Sequence, residues 1–160
     1  MLAMISLLSR RTLLGTLVSL IAAAPNFARA QGMEKFTTGK LAIVSGGKRH
    51  TFTVELALTD RQQQQGLMFR RTMAPDAGML FDYRTPTRIT MWMKNTFIPL
   101  DMIFIGANNT VVDIAERAVP HSEAIIPTKV PARAVLEVNG GTVQRLGIKV
   151  GDKIESDALK

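Results

Sequence analysis

The sequence predicts a β-dominated α+β fold: one small domain, built as a rolled antiparallel sheet or small β-barrel with two short helices. Short runs alternate apolar and polar residues with a period of two, the mark of half-buried strands. Turn residues punctuate them, at Ser45-Gly46-Gly47-Lys48, Pro75-Asp76-Ala77-Gly78 and Gly106-Ala107-Asn108-Asn109 among others. Helical signals introduce only two brief segments. No internal repeat breaks the chain up, and 160 residues make one domain with at most an appendage.

The appendage is residues 1–30, which read as an export signal. Ser9-Arg10-Arg11-Thr12-Leu13-Leu14 supplies a charged opening and Leu13 to Ala24 an apolar run. Ala28-Arg29-Ala30 then offers small residues at the two positions a signal peptidase reads, so cleavage is expected before Gln31. The arginine pair resembles a twin-arginine signal, the other reading being an ordinary export signal. A spanning helix needs roughly 20 apolar residues, so no membrane span is expected after cleavage. The expected location is periplasmic or secreted.

Of the 20 Lys and Arg, three (Arg10, Arg11 and Arg29) and none of the 13 acids lie in that stretch, so the formal charge falls from +7 to +4. Charges of both signs are scattered without a basic stripe or interleaved aromatics, so nucleic-acid binding is not expected. The chain has no Cys, which excludes disulfides, thiolate catalysis and cysteine-held metals. The fold must rest on its apolar core, for which about 130 residues suffice.

In the mature chain, residues 31–40 read as a polar leader and 41–156 as the domain. Leu41 to Val44 forms a short strand. Thr51 to Leu58 alternates, with Phe52, Val54, Leu56 and Leu58 on one side, and pairs back on the first strand. Thr59 followed by Gln62 fits a capping box, starting a helix expected to run to about Phe69. Gly66 interrupts it at a cost, which implies close packing against a strand. Met79 to Tyr83 is a strand, and Ile89 to Thr96 alternates over another, with Met91 and Met93 on one face and Trp92 and Lys94 on the other. Leu100 to Ile105 follows the Phe97-Ile98-Pro99 bend, and Thr110 to Ala118 follows the next turn. Val119 to Pro131 carries three prolines and no clear period, so it reads as an ordered surface loop. Arg133 to Val138 is a strand, Val143 to Leu146 a helix closed by Gly147, and the chain ends in a last short strand.

The most unusual stretch is Thr90 to Phe104, read as a hairpin of two strands across a proline bend, in which the single Trp, Trp92, stands with Lys94, Asn95 and Asp101. Trp supplies a flat platform and the polar residues directed contacts, a mixture that suits a small polar, anionic or sugar-like ligand. Arg70 lies at the edge of this candidate site. The bland reading is that Lys94 pairs with Asp101, Asn95 and Thr96 tie the turn, and Trp92 plugs the core.

Three other functions fit parts of the sequence. Met91 and Met93 on one strand face suit Cu(I), although Met commonly fills core gaps. Asp101 with Glu55, Asp82 or Glu137 would serve a carboxylate-based hydrolase of envelope glycans if folding brought two acids together. No nucleophile elbow, zinc motif or phosphate loop is present, and no cofactor is expected. The 119–131 loop and an exposed sheet edge would suit an envelope protein-interaction module.

The quoted pieces together resemble a known family. E-L-A-L-T-D from Glu55, G-L-M at Gly66, G-M-L-F at Gly78, M-W-M-K-N-T-x-I-P-L-D-M-I-F from Met91 and L-E-V-N-G-G-T-V from Leu136 are similar to the bacterial domain of unknown function 192. The resemblance covers roughly Leu41 to Glu155. It implies a compact β-rich domain, often exported, and no assigned activity.

Overall fold

The computed structural model describes residues 33–159. The expected export signal, residues 1–30, lies outside the described residues. The chain enters through β1 (Thr37–Ser45), turns at Gly46-Gly47 and returns as β2 (Lys48–Ala57). Both glycines have positive φ, which an L side chain rarely adopts. The polar leader is therefore shorter than expected, because Thr37 to Lys40 pair with β2.

Helix α1 (Asp60–Gln65) carries the expected capping box between Thr59 and Gln62. It stops at Gly66, short of Phe69, because Gly66 leaves helical geometry at φ 48°. The glycine is needed for another reason: a Cβ there would sit 3.1 Å from the Phe81 ring of β3 (Ala77–Thr87). The crossover through α1 brings β3 back parallel to β2, as a connection longer than a hairpin allows. The sheet is thus mixed, where the sequence predicts an antiparallel one.

The remaining elements are β4 (Thr90–Met91), β5 (Leu100–Ile105), β6 (Val111–Ala118), β7 (Ile126–Pro127), β8 (Ala132–Asn139), α2 (Thr142–Leu146) and β9 (Lys153–Ser156). Seven strands make one curled half-barrel sheet in the order β6-β5-β8-β3-β2-β1-β9, and β4 and β7 form a separate ribbon. The two edge strands meet at one end. Val111 donates its N–H to the Asp152 carbonyl at 2.9 Å, and Ile154 donates to the Asn109 carbonyl at 2.8 Å. That partial closure hides edge groups that would otherwise invite pairing with other chains.

Period-two alternation divides the core between the two sheet faces. On β8, Ala134, Leu136 and Val138 join Leu41, Phe52, Leu80 and Ile103 in one cluster. Val135 points the other way, with Met79, Phe81, Met102 and Phe104. The second face is covered by α1, by β4 and by the irregular segment after it.

That segment overturns one expectation. Ile89 to Thr96 does not continue as a strand, and no hairpin joins it to β5; only Thr90 and Met91 pair, with β7. Alternation of burial persists through Met93, then ends in a turn at Lys94-Asn95, where Asn95 takes φ 54°. Backbone bonds from Met93 to the Ser122 carbonyl (2.9 Å) and from His121 to the Thr96 carbonyl (3.1 Å) tie it to the 119–131 loop. The loop supplies the backbone partners that this segment lacks.

Candidate functional site

Among the described residues one carboxyl group stands out. Glu137 sits in the middle of β8, a central strand, on the face occupied by Met79 and Met102, which are its neighbours across the sheet. It is buried, and no hydrogen bond to its carboxyl is found among the described residues. Burial pushes its pKa up to about 8, because an apolar setting disfavours the charged form. A neutral, unpartnered carboxyl in a core is costly to keep. Gly78 permits its placement, since a Cβ there would lie 2.6 Å from the Glu137 carbonyl oxygen.

Glu137 forms the floor of a small inner cavity of about 70 Å³. Gln63 to Met68 and Phe81, Tyr83, Met91, Trp92, Lys94 and Thr96 make its walls. It shares Gln63, Gln64, Tyr83, Thr90, Met91 and Trp92 with an outer hollow of about 470 Å³, which Asp60 and Ile125 also line. The two form a continuous recess between α1, β3 and the segment after β4. Its inner end has room for one small polar group or a few waters.

The walls are held by specific bonds. Gln63 donates to the carbonyls of Ala57 (3.3 Å) and Asp82 (3.1 Å), fixing α1 to the end of β2 and the middle of β3. The Gln65 side-chain oxygen accepts from the Glu34 N–H at 2.7 Å, while its Nε2 is buried without a partner. Tyr83 donates its hydroxyl to the Met91 sulfur at 3.7 Å. Burial, with the nearby Glu137 as a lesser cause, pushes the Tyr83 pKa up to about 12. Trp92 is 42% exposed, and the Lys94 ammonium lies 5.2 Å from the centre of its ring, within cation–π range.

The sequence candidates separate. Trp92 and Lys94 both line the recess, and Lys94 pairs with Glu123 at 3.8 Å. Asp101 lies elsewhere, which corrects the Lys94–Asp101 pair: its buried carboxylate accepts N–H bonds from Arg117 (2.8 Å), Gly141 (3.0 Å) and Val143 (2.8 Å). It ties β6 to the start of α2. Asn95 shapes the turn, its carbonyl accepting from Phe69 N–H at 2.8 Å. Arg70 is engaged by Glu55 through two bonds of 3.0 and 2.6 Å, outside the recess.

The proposed carboxylate pairs do not assemble at the recess. Asp82 is bonded by Arg133 at 3.3 Å, Glu55 by Arg70, and Asp101 by backbone. Met93 is fully buried and Met91 nearly so, both in one apolar cluster. No group of three or more His, Cys, Asp or Glu that could hold a metal occurs among the described residues, and none of their helices is long and apolar enough to cross a membrane.

Glu137 entered the sequence reading only as one possible acid of a pair, and Tyr83 and Gln65 only as parts of a strand and a helix, not as site residues. One signal was available. Ala134-Val135-Leu136-Glu137-Val138 is apolar on both faces except at Glu137, a pattern of a doubly covered strand that leaves an acid unexplained.

The comparisons with known proteins leave function unassigned. A family model described as DUF192, Uncharacterized ACR, matches residues 41–156. The chain is 30% identical over 114 residues to the UPF0127 protein PF1050 of Pyrococcus furiosus, covering 70% of this chain and 93% of that one. A solved protein of Sinorhizobium meliloti, described as a proposed transcription regulator, is 48% identical with a TM-score of 0.77, covering 81% of this chain and all of the other. A protein of unknown function from Novosphingobium aromaticivorans is 43% identical with a TM-score of 0.73, over 88% of this chain and 99% of its own.

Proposed function

We propose that this chain, which belongs to the DUF192 family of uncharacterised proteins, is a binding module that takes one small polar ligand in the recess above Glu137. The observation that carries this reading is the unpartnered Glu137 carboxyl at the base of a cavity whose mouth exposes Trp92. The Glu137 carboxyl makes no hydrogen bond among the described residues and faces the cavity, where a ligand group would offset its desolvation. Trp92 gives an apolar platform for a ring or chain, and Lys94 a cation beside it. Such a mixture of apolar wall and few convergent polar groups is the usual make-up of a ligand site.

Binding is favoured over the hydrolase reading by the acids available. Glycoside hydrolysis needs two carboxyl groups about 5–10 Å apart across one bond. The inner cavity has Glu137 alone; the other acid of the recess, Asp60, is exposed on the outer hollow. An exported binder of sugars or cell-wall fragments agrees with the leader expected from residues 1–30.

The test is a thermal-shift screen of the protein against sugars, cell-wall fragments, small organic anions and metals, repeated on Trp92→Ala and Glu137→Gln. The expected result is a compound that stabilises the parent and loses its effect in Trp92→Ala. Hits that shift both variants as much as the parent would place binding elsewhere. Turnover of a glycan hit, lost in Glu137→Gln, would establish the hydrolase instead.

A further inference from the structure

We propose that the recess takes a short peptide in extended conformation, which pairs with Thr90 and Trp92 as an added strand and turns its middle side chain into the inner cavity. This deepens the reading above, and rests on it, by naming the ligand class. The observation is a strand edge left open beside the recess. Thr128 donates its N–H to the Ile89 carbonyl at 2.9 Å, and Met93 donates to the Ser122 carbonyl at 2.9 Å. Backbone groups of successive residues in an extended chain point to opposite edges. Ile89, Met91 and Met93 therefore direct theirs to β7 and the loop before it, and Thr90 and Trp92 aim theirs the other way. The residue opposite Thr90 is Pro127, which has no N–H to offer. No hydrogen bond to the Trp92 backbone is found among the described residues.

That open edge faces the recess. Side chains alternate along the segment, Met91 inward at 8% exposure and Trp92 outward at 42%. Yet Thr90, Met91 and Trp92 all line the outer hollow. Consecutive residues with opposite faces meet one hollow where it runs along their edge. Gln63, Gln64 and Tyr83 complete the wall. The Gln64 carboxamide, which makes no hydrogen bond among the described residues, both donates and accepts.

The pattern along the edge selects a peptide. It offers an N–H and a C=O at Thr90, nothing at Met91, and an N–H and a C=O at Trp92, two rungs roughly 7 Å apart. A peptide backbone repeats donor and acceptor at that interval, in either strand direction, and the hydroxyls of a sugar ring do not. The chain turns away at Lys94-Asn95, so only about three ligand residues find partners. That length fits a free short peptide and not a long strand of another protein. In either direction the middle residue lies beside Met91, and neighbours across a sheet share a face. Its side chain therefore points inward, to the cavity of about 70 Å³, and a flanking side chain lies beside the Trp92 indole. Backbone bonds then give affinity, and the pocket for the alternate side chain gives specificity.

Calorimetric titration with Ala-Ser-Ala, Ala-Phe-Ala, and Ala-Ser-Ala N-methylated at its second or its third residue tests this. Ala-Ser-Ala is expected to bind saturably, and at least tenfold more tightly than Ala-Phe-Ala, whose ring exceeds the inner cavity. A methyl group on one of the two amide nitrogens should weaken binding tenfold or more and on the other leave it unchanged, because a strand turns alternate N–H groups to its partner. With peptide bound, hydrogen exchange followed by NMR should slow at least tenfold at the Trp92 amide. Exchange at Met93, already bonded to Ser122, should stay as it is. Equal effects of methylation at the two positions, with binding lost in Trp92→Ala, overturn the added strand and leave the binding recess standing. So does a sugar or anion whose binding needs Trp92, where no tripeptide binds. Binding by neither the tripeptides nor any compound of the thermal-shift screen, in a protein shown folded by its thermal transition, overturns both.

Discussion

Met102 of β5 and Glu137 of β8 stand directly opposite each other in the sheet, and that pairing separates the two acids of greatest interest. Paired residues share a face, so Asp101, one residue before Met102, projects to the other side. Asp101 is thereby spent on backbone amides of the opposite face, while Glu137 is left beneath the recess. The hydrolase pair of Asp101 with Glu137 is ruled out by register alone.

The Glu137 carboxyl should make the protein less stable as pH rises. In the unfolded chain it titrates near 4.5, and in the fold near 8. Between those values the folded state holds a proton the unfolded state has released, so stability falls through that window and levels above it. Glu137→Gln removes the effect. It should be more stable than the parent by a few kcal/mol, on the order of 3 at pH 8, with the gap closing towards pH 4.5. Denaturant unfolding of both proteins from pH 4.5 to 9 measures it; a pH-independent gap would contradict the assignment.

Asp101→Ala should behave as a structural lesion. It leaves the N–H groups of Arg117, Gly141 and Val143 without their acceptor, at a cost of roughly 3 kcal/mol or more. Asp101→Asn, which keeps one acceptor oxygen, should recover part of the loss. Chemical denaturation midpoints check this, and an Asp101→Ala protein as stable as the parent would be the opposing result.

Trp92→Ala should separate binding from folding. The side chain is 42% exposed and its ring is approached by Lys94, so its loss should cost no more than about 1 kcal/mol. Binding of any recess ligand should fall at least tenfold. A thermal melt and a calorimetric titration of the variant read the two effects independently.

Gly78→Ala should disturb the floor from beneath. The added Cβ would meet the Glu137 carbonyl oxygen at 2.6 Å and Val138 at 3.2 Å, forcing β3 and β8 apart. A loss of about 2 kcal/mol is expected, with weaker ligand binding, since β8 carries Glu137. Unfolding curves and a titration of the variant test both parts.

Much of the fold was legible because its signals are local. Alternation at Phe52-Val54, the cap at Thr59 and Gln62, and the glycine closing α2 at Gly147 each act within a few residues. The extended character of Ile89 to Met93 was also legible, but not its partner: Thr90 and Met91 pair with residues 126 and 127, a contact set by a distant loop. The same limit hid the site. Trp92 and Lys94 drew notice by their company in the sequence, whereas Gln65, Tyr83 and Glu137 come from α1, β3 and β8 and meet only in the folded sheet. Asp101 misled for the converse reason, since a strand position one residue off faces the opposite side.

The protein holds a single tryptophan, Trp92, so its fluorescence reports the mouth of the recess with no other indole in the signal. Titrating the parent with the sugar, cell-wall-fragment and organic-acid panel while following that emission is the most direct measurement. A saturable change in intensity or wavelength, matched in midpoint by calorimetry and abolished or weakened in Lys94→Ala, is the expected result. Compounds that bind by calorimetry and leave Trp92 emission untouched would contradict a ligand site above Glu137.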